Sequence, residues 1–288
     1  MFDVLTTQRT IDYIEEHVSE KLDLQQISEE VHLSPFHLHR IFAHTLGQTI
    51  HEYLRKRQLT QAAKLLSSTK KPILEIALEA GYESQQAFSR IFKAMYKCPP
   101  NVFRQHGRFY PLQLRFESPT GFFRFPGPPQ CVPWKVLSAQ QLDIPQLMEL
   151  SRLVIDGYPL LHEEEHRQVL QTAIAQNHAF IIKAGNIAAG AMLFSPDVGH
   201  IDFLAVHPLF RTLGVSQALL NQAIFEFPVK QRHVSITTYR EGDKADTGHR
   251  KALEALGFVE SELLVEFGYP TQRFLLNRDL RLKKNRVS

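Results

Sequence analysis

The chain has 288 residues, 43% hydrophobic and 22% charged. That is enough for two globular domains with their own cores, and it excludes disordered and fibrous classes. Its net charge of +3 is too small to specify a nucleic-acid partner by itself, so the distribution of charge matters more than the total. No run of ~18 apolar residues and no basic, apolar leader is present, which predicts a cytoplasmic protein with no membrane partner. Cys98 and Cys131 stand far apart without metal-ligand spacing, consistent with free thiols in a reducing compartment.

The first 107 residues have helical periodicity and contain a repeat. Ser-x-x-x-(Leu/Phe)-x-Arg-Ile-Phe occurs at Ser34 to Phe42 and again at Ser84 to Phe92, fifty residues on. Each copy follows a short apolar segment, Leu24 to Ser28 or Ile73 to Ala77, and then a turn. Serine is a favoured N-cap and Pro35 suits the first helical position, so each copy reads as helix, turn, capped helix. Two helix-turn-helix units point to double-stranded DNA, with the second helix of each in a major groove.

On the first reading helix Phe36, His39 and Arg40 share one side; Gln85, Gln86, Ser89 and Arg90 are the matching set on the second. Leu38, Ile41 and Phe42, with Phe88, Ile91 and Phe92, are assigned to the core. Arginine suits guanine and glutamine suits adenine, although either arginine can instead hold phosphate. Between the repeats, Arg55-Lys56-Arg57, Lys64 and Lys70-Lys71 are expected to line a connecting helix along the phosphate backbone.

From 108 to 134 the texture turns to Phe, Pro and Gly, a connector expected to pack against a domain. From 135 to 279 helices and strands alternate, an α/β (α+β) layer architecture with a central mixed sheet. Strands are expected at Lys135–Leu137, Ala179–Lys183, Ile187–Phe194, His200–Val206, His233–Thr238, Leu263–Phe267 and Gln272–Leu276. Helices are expected at Ile144–Ile155, His162–Gln176, Gly214–Phe227 and Gly248–Leu256, with a basic tail over 280–288.

The span from Arg9 to Arg104 resembles the DNA-binding domain of the AraC/XylS family of bacterial transcription regulators, within it the MarA, SoxS and Rob group. The segments that carry the likeness are Leu33 to Phe42, Tyr53 to Leu59, Ile76 to Tyr82 and Ser84 to Lys93, then Pro99-Pro100 and Phe103-Arg104. The resemblance implies an all-α double helix-turn-helix domain over 1–107, with base contacts from Phe36, His39, Arg40, Gln85, Gln86 and Arg90. Phe36 and His39 depart from the group's groove residues, so the operator cannot be copied from a relative. Lys97 stands at a turn position that is usually glycine.

The stretch from Leu204 to Ser216, followed by Ala255-Leu-Gly-Phe258, resembles the acyl-CoA signature and second motif of the GNAT N-acetyltransferase superfamily, within an element order that matches over 135–279. Arg-x-x-Gly-x-Ser at a helix mouth would place backbone amides and the helix dipole around an anion. The resemblance implies an acetyl-CoA or other acyl-CoA cofactor held by Val206, Arg211, Thr212, Leu213, Gly214, Val215 and Ser216. The amides of Thr212 to Ser216 would cradle the pyrophosphate and the Val206 amide would polarise the thioester carbonyl.

For acid-base chemistry the candidates are His200 and Asp202, on one strand face with Leu204 and Val206, and Tyr239 at a strand end. The position where these enzymes often carry tyrosine is Leu253. Tyr158 falls in a loop that commonly lines their acceptor pocket. His162-Glu-Glu-Glu-His166 has the letters of a zinc site but no third ligand in view, so no metal is expected. Two functions remain open. The second half senses acyl-CoA or another small-molecule effector and modulates DNA binding, or it acetylates a small amine or a protein lysine. Two reading heads in one chain are compatible with a monomer or weak dimer.

Overall fold

The computed structural model describes residues 2–107, 109–116, 134–154, 163–228, 230–246, 248–266 and 269–279. Of these, everything through Phe116 belongs to one compact unit and everything from Trp134 to a second.

The first unit is helical: α1 (Phe2–Glu16), α2 (Leu24–Glu30), α3 (Pro35–Leu46), α4 (Ile50–Ser68), α5 (Ile73–Glu79), α6 (Gln85–Tyr96) and α7 (Pro100–His106). The internal repeat appears as α2-α3 and α5-α6. Ser34 Oγ accepts the His37 N–H at 3.3 Å and Ser84 Oγ the Ala87 N–H at 3.2 Å, so both serines cap as their position predicts. Both helices end on a left-handed residue, Gly47 at φ 68° and Lys97 at φ 62°. Glycine adopts that conformation freely, whereas the lysine Cβ makes it strained. Leu38, Phe42, Phe88 and Phe92 are fully buried and Ile41 nearly so, with Ile91 half-buried. Rings of Phe88, Phe92, Tyr96 and Phe103 stack through the second half of the core.

One expectation needs correction in this unit. Arg55 and Lys64 on α4 are exposed, but Lys56 and Arg57 are 2% and 6% exposed. Helical period turns them inward beside Tyr53, Leu59 and Thr60, so they do not form a phosphate-facing row. The Arg57 guanidinium donates from Nε and Nη2 to Glu15 of α1, both at 2.6 Å, and from Nη1 to the Gln113 carbonyl at 2.7 Å. The first residues of the connector, 109–116, pack on this unit. Leu112, Gln113 and Phe116 are buried. The N–H groups of Leu112 and Gln113 donate to Thr60 Oγ1 at 3.0 and 3.2 Å, and that of Phe116 to the Tyr53 hydroxyl at 3.3 Å. The strap therefore runs along α4. Tyr110 and Leu112 pack in the core of the second repeat, while the Gln113 side chain accepts through Oε1 from Gln48, just after α3, at 3.1 Å.

The second unit is a mixed sheet of seven strands: β1 (Val136–Ser138), β2 (Ala179–Ala184), β3 (Ile187–Ser195), β4 (His200–Val206), β5 (His233–Tyr239), β6 (Val259–Glu266) and β7 (Tyr269–Asn277), in the order β1-β2-β3-β4-β5-β7-β6. Neighbours are antiparallel except β4 and β5. Its helices are α8 (Ile144–Val154), α9 (Glu163–Ala175), α10 (Val215–Glu226) and α11 (His249–Leu256). Leu147, Met148, Leu170 and Ile174 of α8 and α9 pack with Ile181, Ala191, Leu193 and Ala205 on one sheet face. α10 takes the other. A Cβ at Gly190 of β3 would lie 2.4 Å from Val215 Cγ1 and 3.1 Å from Leu219 Cδ1, so only glycine lets α10 approach this closely. β6 begins at Val259, four residues before its expected start; its exposed Val259 and Leu263 mark a sheet edge and break the alternation that would show a strand. No helix among the described residues is long and apolar enough to cross a membrane.

Candidate functional site

In the first unit the expected base-reading side chains share the outward faces of α3 and α6. Phe36, Arg40, Gln85, Gln86 and Arg90 are exposed, and His39 and Ser89 half-buried. Phe36 is 79% exposed, so packing does not account for its ring. The capped N-terminus of each helix stands beside these side chains, where helix-turn-helix proteins meet base edges.

In the second unit the site is built where β4 and β5 part. The parallel pair is joined at His200 with Ser235, near the strand starts, with no paired residues beyond among those described. The two strands thus part toward their carboxyl ends, Val206 and Tyr239, where ligands of open α/β sheets settle. The Val206 amide faces this opening. His207 donates its N–H to Ala189 of β3 at 3.0 Å, and Val206 is opposite Gly190. Antiparallel pairing alternates direction, so the Val206 N–H points away from β3, toward β5.

Past Val206 the chain makes a short 3-10 turn, Pro208–Phe210, and a second turn into α10. The first intrahelical bond runs from Ala218 N–H to the Gly214 carbonyl at 3.0 Å. The amides of Val215, Ser216 and Gln217 therefore precede it without an intrahelical acceptor, at the positive end of the helix dipole. Gly214 has φ 76°, and nothing lies within 4 Å of where its Cβ would stand, which leaves backbone open to an approaching anion. One detail corrects the expected cradle. The amides of Arg211 and Leu213 are turned inward to the carbonyls of Pro208 and Phe210 at 3.3 and 3.1 Å, which leaves the amides of Thr212, Gly214, Val215 and Ser216 as the remaining members of the expected set.

The loop is braced from below. Trp134 Nε1 donates to the Leu213 carbonyl at 2.6 Å and its ring stands edge-on to Phe210 at 5.7 Å. His207 is buried, with its Nδ1 accepting the Leu209 N–H at 3.3 Å. Burial, and then the nearby Arg211, lower its pKa to about 4, so the imidazole is neutral at neutral pH.

The acid-base candidates are not gathered in one place. His200 is six residues before Val206, roughly 20 Å along an extended strand. It is half-buried, with Nδ1 hydrogen-bonded to Ser235 Oγ at 2.8 Å. Burial pulls its pKa down, against an opposing pull from Asp202 and Glu266. Asp202 is exposed and accepts from Ser195 Oγ at 2.7 Å. Tyr239 alone ends its strand on the Val206 side of the sheet; its ring lies among His249 and Tyr269 at 5.7 and 6.0 Å. Leu253 is buried. Tyr158 and His162 fall outside the described residues. His166 lies on the inner side of α9, 2.8 Å from Ser151 Oγ and against the Phe203 ring, and burial lowers its pKa. Its ring thus faces Ser151 and Phe203 rather than solvent.

Sequence reasoning passed over Arg250. Its buried guanidinium lies 5.1 Å over the Phe274 ring and pairs with Glu260. It also donates to the Tyr239 carbonyl at 2.9 Å and to Gln272 at 2.7 Å, which fixes the end of β5. An arginine in an amphipathic helix carries no mark of such a role.

Residues 27–106 match the family described as helix-turn-helix domain, and residues 147–258 match the acetyltransferase (GNAT) family. Among curated relatives, the multiple antibiotic resistance protein MarA of Escherichia coli is 35% identical over 102 residues, covering 35% of this chain and 80% of MarA. The regulatory protein SoxS of Salmonella typhimurium is 37% identical over 97 residues, 34% of this chain and 91% of SoxS. The uncharacterized HTH-type transcriptional regulator YbfP of Bacillus subtilis is 40% identical over 104 residues, but the match spans only 35% of its length and 36% of this chain. Among solved structures, the C-terminal domain of AraT, a response regulator from Geobacillus stearothermophilus, is 36% identical with a TM-score of 0.35, covering 36% of this chain and 87% of that one. A GNAT family acetyltransferase from Bacillus cereus is 18% identical with a TM-score of 0.40, covering 50% of this chain and 96% of that one. The fold and site define a DNA-binding helix-turn-helix unit joined to an acetyltransferase-type domain. The chain belongs to the AraC-type family of transcription regulators and carries a GNAT domain behind its DNA-binding half.

Proposed function

We propose that the chain is a sequence-specific transcription regulator whose GNAT domain binds acyl-CoA and thereby modulates DNA binding. The observation that carries the acyl-CoA half is the Val206 amide turned into the gap between β4 and β5, in line with the open N-terminus of α10. In this reading the amides of Thr212, Gly214, Val215 and Ser216 hold the pyrophosphate and Val206 meets the acyl carbonyl. A bound acyl-CoA would supply an activated thioester there. Sensing is favoured over turnover because His200 stands at the opposite end of β4 from Val206, too far for direct proton transfer at the acyl group. A ligand modulates DNA binding only by binding its two states unequally.

The test is calorimetric titration of the full chain with acetyl-CoA, beside Ser216→Glu. A carboxylate at that position suits the helix dipole and leaves folding intact, yet repels a pyrophosphate. Binding in the unaltered chain, lost in the variant, together with a change in DNA affinity when acetyl-CoA is added, is the expected result. Sustained release of free CoA with an amine present would replace the sensor with an acetyltransferase. Absence of binding at millimolar ligand would remove the acyl-CoA reading.

A further inference from the structure

The two reading heads differ in one residue type. Of the chain's 14 histidines, His32, His37, His39 and His44 cluster in the first repeat and His51 follows it at the start of α4. The positions fifty residues on are Tyr82, Ala87, Ser89, Ala94 and Asn101. His32 occupies the turn before α3 with φ 57°, His51 the first turn of α4, and the other three lie on α3. His32, His44 and His51 are exposed, and His37 and His39 half-buried.

On α3 the spacing puts His37, Arg40 and His44 in one strip and Phe36, His39 and Ala43 in the strip beside it. Leu38, Ile41, Phe42 and Thr45 are the buried residues on the opposite side. Three imidazoles therefore border the residues that face the groove. The elements packed on α3 bring few competing carboxylates. On α1, Asp12 is paired with Arg115 and Glu15 with Arg57. On α2, Glu29 accepts from Gln25, and on α4, Glu52 accepts from the Thr49 cap. Glu16 and Glu30 are the other carboxylates described on these helices, and Arg9, His51, Arg55 and Lys64 are their exposed basic groups.

Histidine is the side chain whose charge changes between about pH 5 and 8. Its neutral form brings no charge to a phosphate, and its cation releases counterions as lysine does. A phosphate within ~4–6 Å favours the cation. We propose that the first reading head grips DNA phosphates through protonated histidines, so that binding at its half-site takes up protons. The second head grips with the fixed charges of Arg90 and Lys93, both exposed. This rests on the reading of α3 and α6 as groove helices. Its consequence is an asymmetric site in which one half is acid-strengthened and the other indifferent to pH.

The full chain would be used to select a duplex from a random pool at about pH 6. Its affinity for that duplex, and for versions with either half scrambled, would then be measured from about pH 6 to 8 at constant salt. Where binding takes up one proton, affinity falls by as much as about tenfold for each unit rise in pH. The expected result is at least a tenfold loss across the range that disappears when the first half is scrambled. The slope should also flatten in His37→Gln/His39→Gln/His44→Gln and persist in His106→Gln, which alters a histidine outside the first repeat. His44→Gln alone, at an exposed site, should lower the slope by part of the whole and guards against misfolding of the triple variant. A slope unchanged in both His44→Gln and the folded triple variant, or one that follows the second half-site, overturns the proposal. Failure to enrich any sequence removes the groove-helix reading and this proposal with it. Enrichment with a flat pH profile removes only this proposal.

Discussion

Glu15→Gln should destabilise the DNA-binding unit far more than a single lost hydrogen bond would. Glu15 and Arg57 side chains are each 8% exposed. The carboxylate accepts from Arg57 Nε and Nη2, both at 2.6 Å, and from the Tyr53 hydroxyl at 2.9 Å. Burial, followed by the Glu15 charge, pushes the Tyr53 pKa up, so the phenol remains a donor. Neutralising Glu15 leaves a buried guanidinium whose other described partner is the Gln113 carbonyl at 2.7 Å. Stranding a buried charge in this way costs about 3–5 kcal/mol. Replacing both residues, as Glu15→Met/Arg57→Met, removes the stranded charge and should cost less than Glu15→Gln alone.

Hydrogen exchange in the full chain reads this unit by itself. Amides of α1, α4 and 112–116 should lose protection by about a hundredfold to several thousandfold in Glu15→Gln. The second unit should be unaffected. Protection within tenfold of the original, or a double variant worse than the single, would refute the argument that an unpaired charge dominates.

Two further predictions concern the second unit. Gly190→Ala puts a methyl 2.4 Å from Val215 Cγ1; the overlap should cost about 1–3 kcal/mol and, by displacing the start of α10, weaken acetyl-CoA binding, as thermal melts and calorimetry would reveal. Acid should also destabilise this unit. A folded pKa for His207 of about 4, below the ordinary histidine value of 6.5, means that the unfolded chain binds the proton first, so stability present above pH 6.5 is lost as pH falls toward 4. That shift corresponds to about 3 kcal/mol. Trp134 is the chain's single tryptophan and lies in this unit, so urea unfolding followed by its fluorescence isolates the transition. His207→Gln should flatten the pH dependence, and an identical slope in both proteins would count against burial of the neutral ring.

The architecture was readable wherever a local pattern repeats a local cause. Ser34 and Ser84 announce capped helices, and the short apolar runs of β2 to β4 announce strands within a residue or two. The glycine of Arg-x-x-Gly-x-Ser marks where a loop opens into a helix, and α10 begins at the next residue. What stayed hidden depends on contacts distant in sequence. Lys56 and Arg57 read as surface cations because helical position alone does not reveal that Glu15, 42 residues earlier, receives the guanidinium. His200 and Val206 share a strand face, but a shared face says nothing about the length of strand between them. His166 looked like half of a metal site because a letter string cannot show that Ser151 and Phe203 occupy its ring.

The strap 109–116 changes where the joint of this two-part chain falls. A boundary drawn at the last repeated helix, near Gly107, would cut away Leu112 and Phe116 and leave the Thr60 and Tyr53 hydroxyls without the backbone groups that now meet them. The smallest portable DNA-binding module is therefore the segment through Phe116. Anyone grafting this reader onto another partner, or supplying the second unit separately, has to splice after the strap. Residues that look like tether are the keel along which the two helix-turn-helix repeats are laid.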